Sequence, residues 1–136
     1  MRIVLDTNCL LVSVQAYSEF FWLWQTFRDK KITLCYTTDI LNEYYEVLSC
    51  YFSVSFAETV VEEILLSPNT MPVTVYYKWR LITADPDDNK FVDCAVSANA
   101  VCIITNDRHF GMLRDIEFPK INVIDIDTFK KIISKI

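Results

Sequence analysis

Four carboxylates stand where they could share a metal ion: Asp6, Glu43, Asp88 and Asp107. Asp6 closes the short apolar run Ile3-Val4-Leu5 and is followed by a hydroxyl and an amide, Thr7 and Asn8. A β-branched apolar run that stops abruptly in polar groups is how a buried parallel strand delivers side chains to the end of a sheet. Asp107 follows a second run of this kind, Val101-Cys102-Ile103-Ile104, after Thr105 and Asn106. Glu43 and Asp88 stand in, or just before, the first turns of helices that follow loops. Hard oxygen ligands with no thiolate or imidazole partner select Mg²⁺ or Mn²⁺ over zinc. The chemistry they suit is metal-assisted attack of water on phosphorus. A single aspartate after a strand is ordinarily a turn or helix cap. The reading therefore depends on all four converging.

Helical projection separates these acids from their neighbours. The helix around Glu43 carries Ile40, Leu41, Tyr44, Tyr45, Val47 and Leu48 as its apolar stripe. Glu43 lies at the border of that stripe, and Glu46 lies about 180° from its centre, facing solvent. In the next acidic segment Phe91, Val92, Cys94, Ala95 and Ala98 form the apolar sector. Asp88 falls within it, whereas Asp93 falls about 140° from Asp88. Asp88 is the preferred third ligand and Asp93 the alternative, otherwise a surface or supporting residue. Asp85 and Asp87 read as cap and turn residues. Thr7 and Asn8 could orient a carboxylate, a water or a phosphate, and Asn106 and His109 flank the fourth acid. Four carboxylates at one rim raise one another's pKa and call for a counter-charge.

The elements that must position these groups alternate in type. Strands are expected at residues 2–5, 32–36, 73–77, 101–104 and 121–124. Helices are expected at 17–28, 39–50 capped by Thr37 or Thr38, 56–66 capped by Ser55, and 89–99. A final helix carries the stripe Phe129, Ile132, Ile133 and Ile136. In the first helix Tyr17, Phe20, Phe21, Trp24 and Phe27 share one side. Trp22 points nearly opposite, either as an interface or under a second layer. The alternation predicts one α/β domain over residues 1–136, a three-layer α/β/α sandwich with a central, mostly parallel sheet of about five strands. Ligands of such folds bind beyond the carboxyl ends of the strands.

Composition excludes several classes. The single glycine, Gly111, is incompatible with a Walker loop or a dinucleotide fingerprint. The five cysteines form no C-x-x-C pair, so buried thiols in a reducing, cytoplasmic setting are expected rather than a zinc site. No apolar run reaches the roughly 18–20 residues that span a bilayer, and the N-terminus does not read as a signal peptide. The net charge is −5 and the pI about 4.8, so bulk electrostatics do not attract nucleic acid. A local basic rim or metal ions would have to do so. Lys78, Arg80, Lys90, Arg108 and Lys120 are candidates for phosphate contacts, and the sequence does not place them on one face.

Leu5-Asp6-Thr7-Asn8, Ile40-Leu41-Asn42-Glu43, the D-P-D-D-N-K-F segment at 85–91 and Thr105-Asn106-Asp107 together resemble the PIN-domain family of metal-dependent ribonucleases. The resemblance covers the chain from Val4 to about Phe129 and is closest to toxin components of toxin–antitoxin systems. It implies Mg²⁺ or Mn²⁺ held by Asp6, Glu43, Asp88 and Asp107, with Asn8 as the usual polar neighbour. It also implies endonucleolytic cleavage of single-stranded RNA, a homodimer and a small antitoxin partner. Two alternatives stand beside it. Haloacid-dehalogenase-like phosphatases begin similarly but place a second aspartate where this chain has Asn8. A non-catalytic interaction module on a nuclease-like scaffold would have no need of four clustered acids.

Overall fold

The computed structural model describes residues 1–135; Ile136, the end of the expected C-terminal stripe, lies outside them. Strand β1 (Arg2–Leu5) leads directly into helix α1 (Thr7–Ser13). Helix α2 (Phe21–Arg28), strand β2 (Thr33–Tyr36), helices α3 (Thr38–Tyr51) and α4 (Val54–Leu66) and strand β3 (Thr70–Pro72) follow. After an irregular segment come a 3₁₀ turn (Pro86–Asp88), helix α5 (Asn89–Ala98) and strand β4 (Cys102–Ile104). A 3₁₀ segment (Arg108–Asp115), strand β5 (Val123–Ile124) and helix α6 (Ile126–Ile133) complete the chain.

The sheet has the order β3-β2-β1-β4-β5, and every pairing is parallel. β1 is central, and Ile3 and Val4 are fully buried, as a strand covered on both faces requires. Right-handed crossovers put the connections running outward to β3 on one face and the return through α5 on the other. α5 packs on β1, β2 and β4, and its Phe91 meets Phe110 of the 3₁₀ segment edge-on. The chain leaves β1 outward toward β2 and later returns to β1's other side as β4. The carboxyl ends of β1 and β4 therefore flank a topological switch point, where α/β sheets open a crevice.

Three local expectations are corrected, the open choice at Trp22 is decided, and one helix is added. The third strand is Thr70–Pro72 rather than 73–77. β2 ends at Tyr36, whose carbonyl accepts the Val73 amide at 2.8 Å, and beyond it no strand remains to pair with. Residues 73–77 alternate between half-buried and exposed without a ladder. α2 begins at Phe21, so Tyr17 is fully exposed rather than part of the buried stripe. Trp22 is not an open interface: its ring stacks on Phe129 of α6 at 6.4 Å, with the Lys130 ammonium 5.7 Å from it. α1 was not foreseen, because Cys9-Leu10-Leu11-Val12 is too short and too apolar to show a helical period. Ser53, rather than Ser55, caps α4 by accepting the Phe56 amide.

Candidate active site

Asp6 occupies the N-cap position of α1, and its carbonyl accepts the Leu10 amide at 3.0 Å. Its carboxylate makes no capping bond, which separates it from the ordinary strand-end aspartate. The Thr105 hydroxyl, at the end of β4, donates to Asp6 Oδ2 at 2.8 Å. Thr105 Oγ1 in turn accepts the Asp107 amide at 3.0 Å. One threonine thus ties the first acid to the backbone of the fourth, across neighbouring strands distant in sequence. Asp107 Oδ1 caps the 3₁₀ segment by accepting the His109 amide at 2.9 Å.

Glu43 projects from α3, held at its N-terminus by Thr37, whose side chain accepts the Ile40 amide. The buried Thr7 hydroxyl donates to Glu43 Oε2, and Lys90 Nζ donates to Glu43 Oε1 at 2.8 Å. Lys90 also pairs with Asp87 Oδ2 at 2.8 Å and is the counter-charge that an acidic rim needs. Glu46 is exposed, as the projection required. Asp88 follows the turn that Asp85 caps through the Asp87 amide. Asp88 Oδ2 is buried without a hydrogen-bond donor. The His109 imidazole Nδ1 stands 3.8 Å from it and 3.6 Å from Asp107 Oδ1.

Asp6 and Asp88 each feel the charge of neighbouring acids. Burial raises the Asp6 pKa; the Thr105 hydroxyl opposes the shift, and Asp107 and Glu43 add to it. Burial pushes Asp88 up to about 6, reinforced by Asp85, Asp107 and Asp6 and opposed by His109. A buried carboxylate oxygen with no donor, ringed by like charges, is a site arranged for a cation. The donors are hard oxygens, which fit Mg²⁺ or Mn²⁺. Asp85, Asp88 and His109 also bring ligand atoms within 4.8 Å of one another, with Asp85 and His109 exposed. The buried, donor-free oxygen of that trio belongs to Asp88, on which the charges of Asp107 and Asp6 also act.

Asp93 is a correction. It is 5% exposed, not a surface residue, and its Oδ1 accepts the Trp79 amide at 3.0 Å. It therefore anchors the irregular segment 73–83 to α5 instead of joining the acid cluster. Asn8 is exposed at the start of α1. Asn106 is turned away, its Oδ1 accepting the Ile126 amide at the head of α6. Thr105, and the pairing of Lys90 with Glu43 rather than with a phosphate, are the contacts that the sequence did not assign. Threonine two places before the fourth acid, and lysine two places after the third, were the available signals.

The sequence matches the family pattern described as PIN domain over residues 2–109. No curated protein sequence matches the chain significantly. Among solved structures, VapBC2 from Rickettsia felis, bound to a DNA fragment from its promoter, superposes with a TM-score of 0.64 at 15% identity, covering 92% of this chain and 98% of that one. FitAcB from Neisseria gonorrhoeae gives 0.56 at 14% identity, covering 91% and 97%. The PIN domain endonuclease Utp24 gives 0.53 at 15% identity, covering 91% and 84%. At such identity these likenesses concern the fold, and they agree with the parallel five-stranded sheet. With the family pattern spanning most of its length, from β1 through the fourth acid, the chain belongs to the PIN-domain family.

Proposed function

We propose that the chain is an endoribonuclease that requires Mg²⁺ or Mn²⁺ and cleaves single-stranded RNA. The observation that carries this reading is the donor-free, buried Asp88 Oδ2, on which the charges of Asp85, Asp107 and Asp6 converge. Asp6, Asp88 and Asp107 would hold the ion, with Glu43 fixed beside them by Thr7 and Lys90. When bound, the ion lowers the pKa of water and neutralises charge on a phosphodiester. Thr105 keeps Asp6 in one rotamer, so the carboxylate needs no reorganisation when a cation arrives. Lys90 cancels the Glu43 charge that would otherwise repel an incoming phosphate. Family membership supports the phosphodiester chemistry, and the D-P-D-D-N-K-F segment, with the fold shared with VapBC2, supports a toxin restrained by a small antitoxin protein.

The test is cleavage of defined RNAs by purified protein. Activity should require Mg²⁺ or Mn²⁺, vanish with EDTA and vanish in Asp6→Asn. Cleavage that survives both EDTA and Asp6→Asn removes the proposal.

A further inference from the structure

A groove of about 1010 Å³ reaches the acid cluster at Glu43 and is lined there by Lys90 and Asp87. One wall is the N-terminal half of α3. The other is the irregular segment 73–83, which contributes Lys78 and Arg80. This segment carries Tyr76-Tyr77-Lys78-Trp79-Arg80, with Tyr76 92% and Tyr77 63% exposed beside the groove-lining residues. It has no ladder, yet α5 grips it at two points. Asp93 takes the Trp79 amide, and the Asn89 side chain both accepts the Ile82 amide at 2.8 Å and donates to the Ile82 carbonyl at 2.9 Å. Between the two grips Arg80 is held at φ 53°, the left-handed region that a side chain rarely adopts. Strain of this kind persists only where surrounding contacts over-determine it, and it clusters at binding sites.

The charges in the groove are sorted by wall. Lys90 pairs with both Glu43 and Asp87 and offsets one of their two charges, and Asp93, buried against Trp79, is held by the nearby Lys78 charge. Asp39 and Glu46 remain on the α3 wall, opposite Lys78 and Arg80. A polyanion entering this groove is repelled from α3 and drawn to segment 73–83. Cationic side chains interleaved with exposed aromatic rings are the chemistry that holds single-stranded nucleic acid, by phosphate pairing and base stacking. We propose that segment 73–83 is the strand-binding wall of the site: Lys78 and Arg80 hold successive phosphates, Tyr76 and Tyr77 offer stacking faces, and the strand is led past Lys90 to the acid cluster. This rests on the nuclease reading for its substrate, and it explains how a chain of net charge −5 engages a polyanion.

The experiment measures fluorescence anisotropy of a labelled, mixed-sequence RNA of about 12 nucleotides, with a DNA of matched sequence as a second arm, on Asp6→Asn protein in EDTA. Lys78→Glu/Arg80→Glu should weaken binding at least about tenfold and flatten the salt dependence of log K by about 1.4, the share of two phosphates on a single strand. Tyr76→Ala/Tyr77→Ala should weaken it about tenfold with the slope kept. Lys131→Glu/Lys135→Glu, at the C-terminal end of the chain and outside the groove lining, should bind as the starting protein does, and melting curves confirm that each variant is folded. Equal binding by the Lys78/Arg80 variant, or a loss matched by the Lys131/Lys135 variant, overturns the proposal. So does starting protein that binds neither strand, which leaves the groove to a protein partner. Tighter binding in the RNA arm identifies RNA as the strand, and equal binding in both arms leaves the wall in place for either. The two readings fail differently. Binding that depends on Lys78 and Arg80 without metal-dependent cleavage by the wild type sinks the nuclease. Cleavage with unchanged KM in Lys78→Glu/Arg80→Glu sinks the wall.

Discussion

Asp88 is the residue at which stability and chemistry oppose each other. Its pKa of about 6 lies above the ordinary aspartate value, so between roughly pH 4 and pH 6 the folded chain binds a proton that the unfolded chain does not. Stability therefore falls as pH rises through that window. In EDTA the melting temperature should be higher at pH 5 than at pH 7.5, and a rising melting temperature from pH 5 to 7.5 would contradict this assignment. Mn²⁺ at about a hundred times its Kd should restore roughly 2.7 kcal/mol at pH 7.5 by binding only the folded state. Asp88→Asn removes the repelling charge. It should raise the ion-free melting temperature by a few degrees while abolishing cleavage, the exchange of stability for function expected at a strained site. Differential scanning calorimetry with and without Mn²⁺ reads both effects.

At the scale of elements, the outer layer and the segment along α5 make separable contributions. Phe129 is fully buried under Trp22, so Phe129→Ala should cost about 3–5 kcal/mol in urea unfolding. That loss should leave the acid cluster's metal affinity nearly unchanged, because α6 contributes none of the four carboxylates. Asn89→Ala should cost only about 1–2 kcal/mol, the two bonds to Ile82 being partly replaced by water. It should instead raise protease susceptibility within 73–83, which limited proteolysis with mass spectrometry would locate. An unchanged digestion pattern would mean that Asp93 alone secures the segment.

At the scale of the whole molecule, no helix among the described residues is long and apolar enough to cross a membrane. The exposed apolar side chains Tyr51, Val54, Leu65 and Leu66 belong to the α3–α4 hairpin. Since Trp22 is covered by α6, the homodimer implied by the family resemblance should form through that hairpin. Light scattering should give a dimer for the wild type and a folded monomer for Leu65→Glu/Leu66→Glu, whose melting temperature should lose its dependence on protein concentration. A double variant that remains dimeric would place the interface elsewhere.

Element types, and which acids end strands or open helices, were legible from order along the chain, because periodicity and strand-end chemistry report only on near neighbours in sequence. The projection that put Glu43 at the border and Glu46 in solvent needed nothing beyond α3 itself. It failed for Asp93 because an isolated helix does not reveal that segment 73–83 will lie across its polar face. The same limit hid Trp22 under α6 and put the third strand a few residues late. Each outcome depends on a partner far away in the chain, and local pattern carries no record of which partner arrives. Strand order is of this kind. Only the placement of β4 beside β1 lets Thr105 bridge Asp6 and Asp107, and only the approach of α5 to α3 sets Lys90 against Glu43. The sequence by itself determined which groups could do the chemistry. The tertiary structure decided which of them meet, because convergence is set by packing between elements rather than by the period within one.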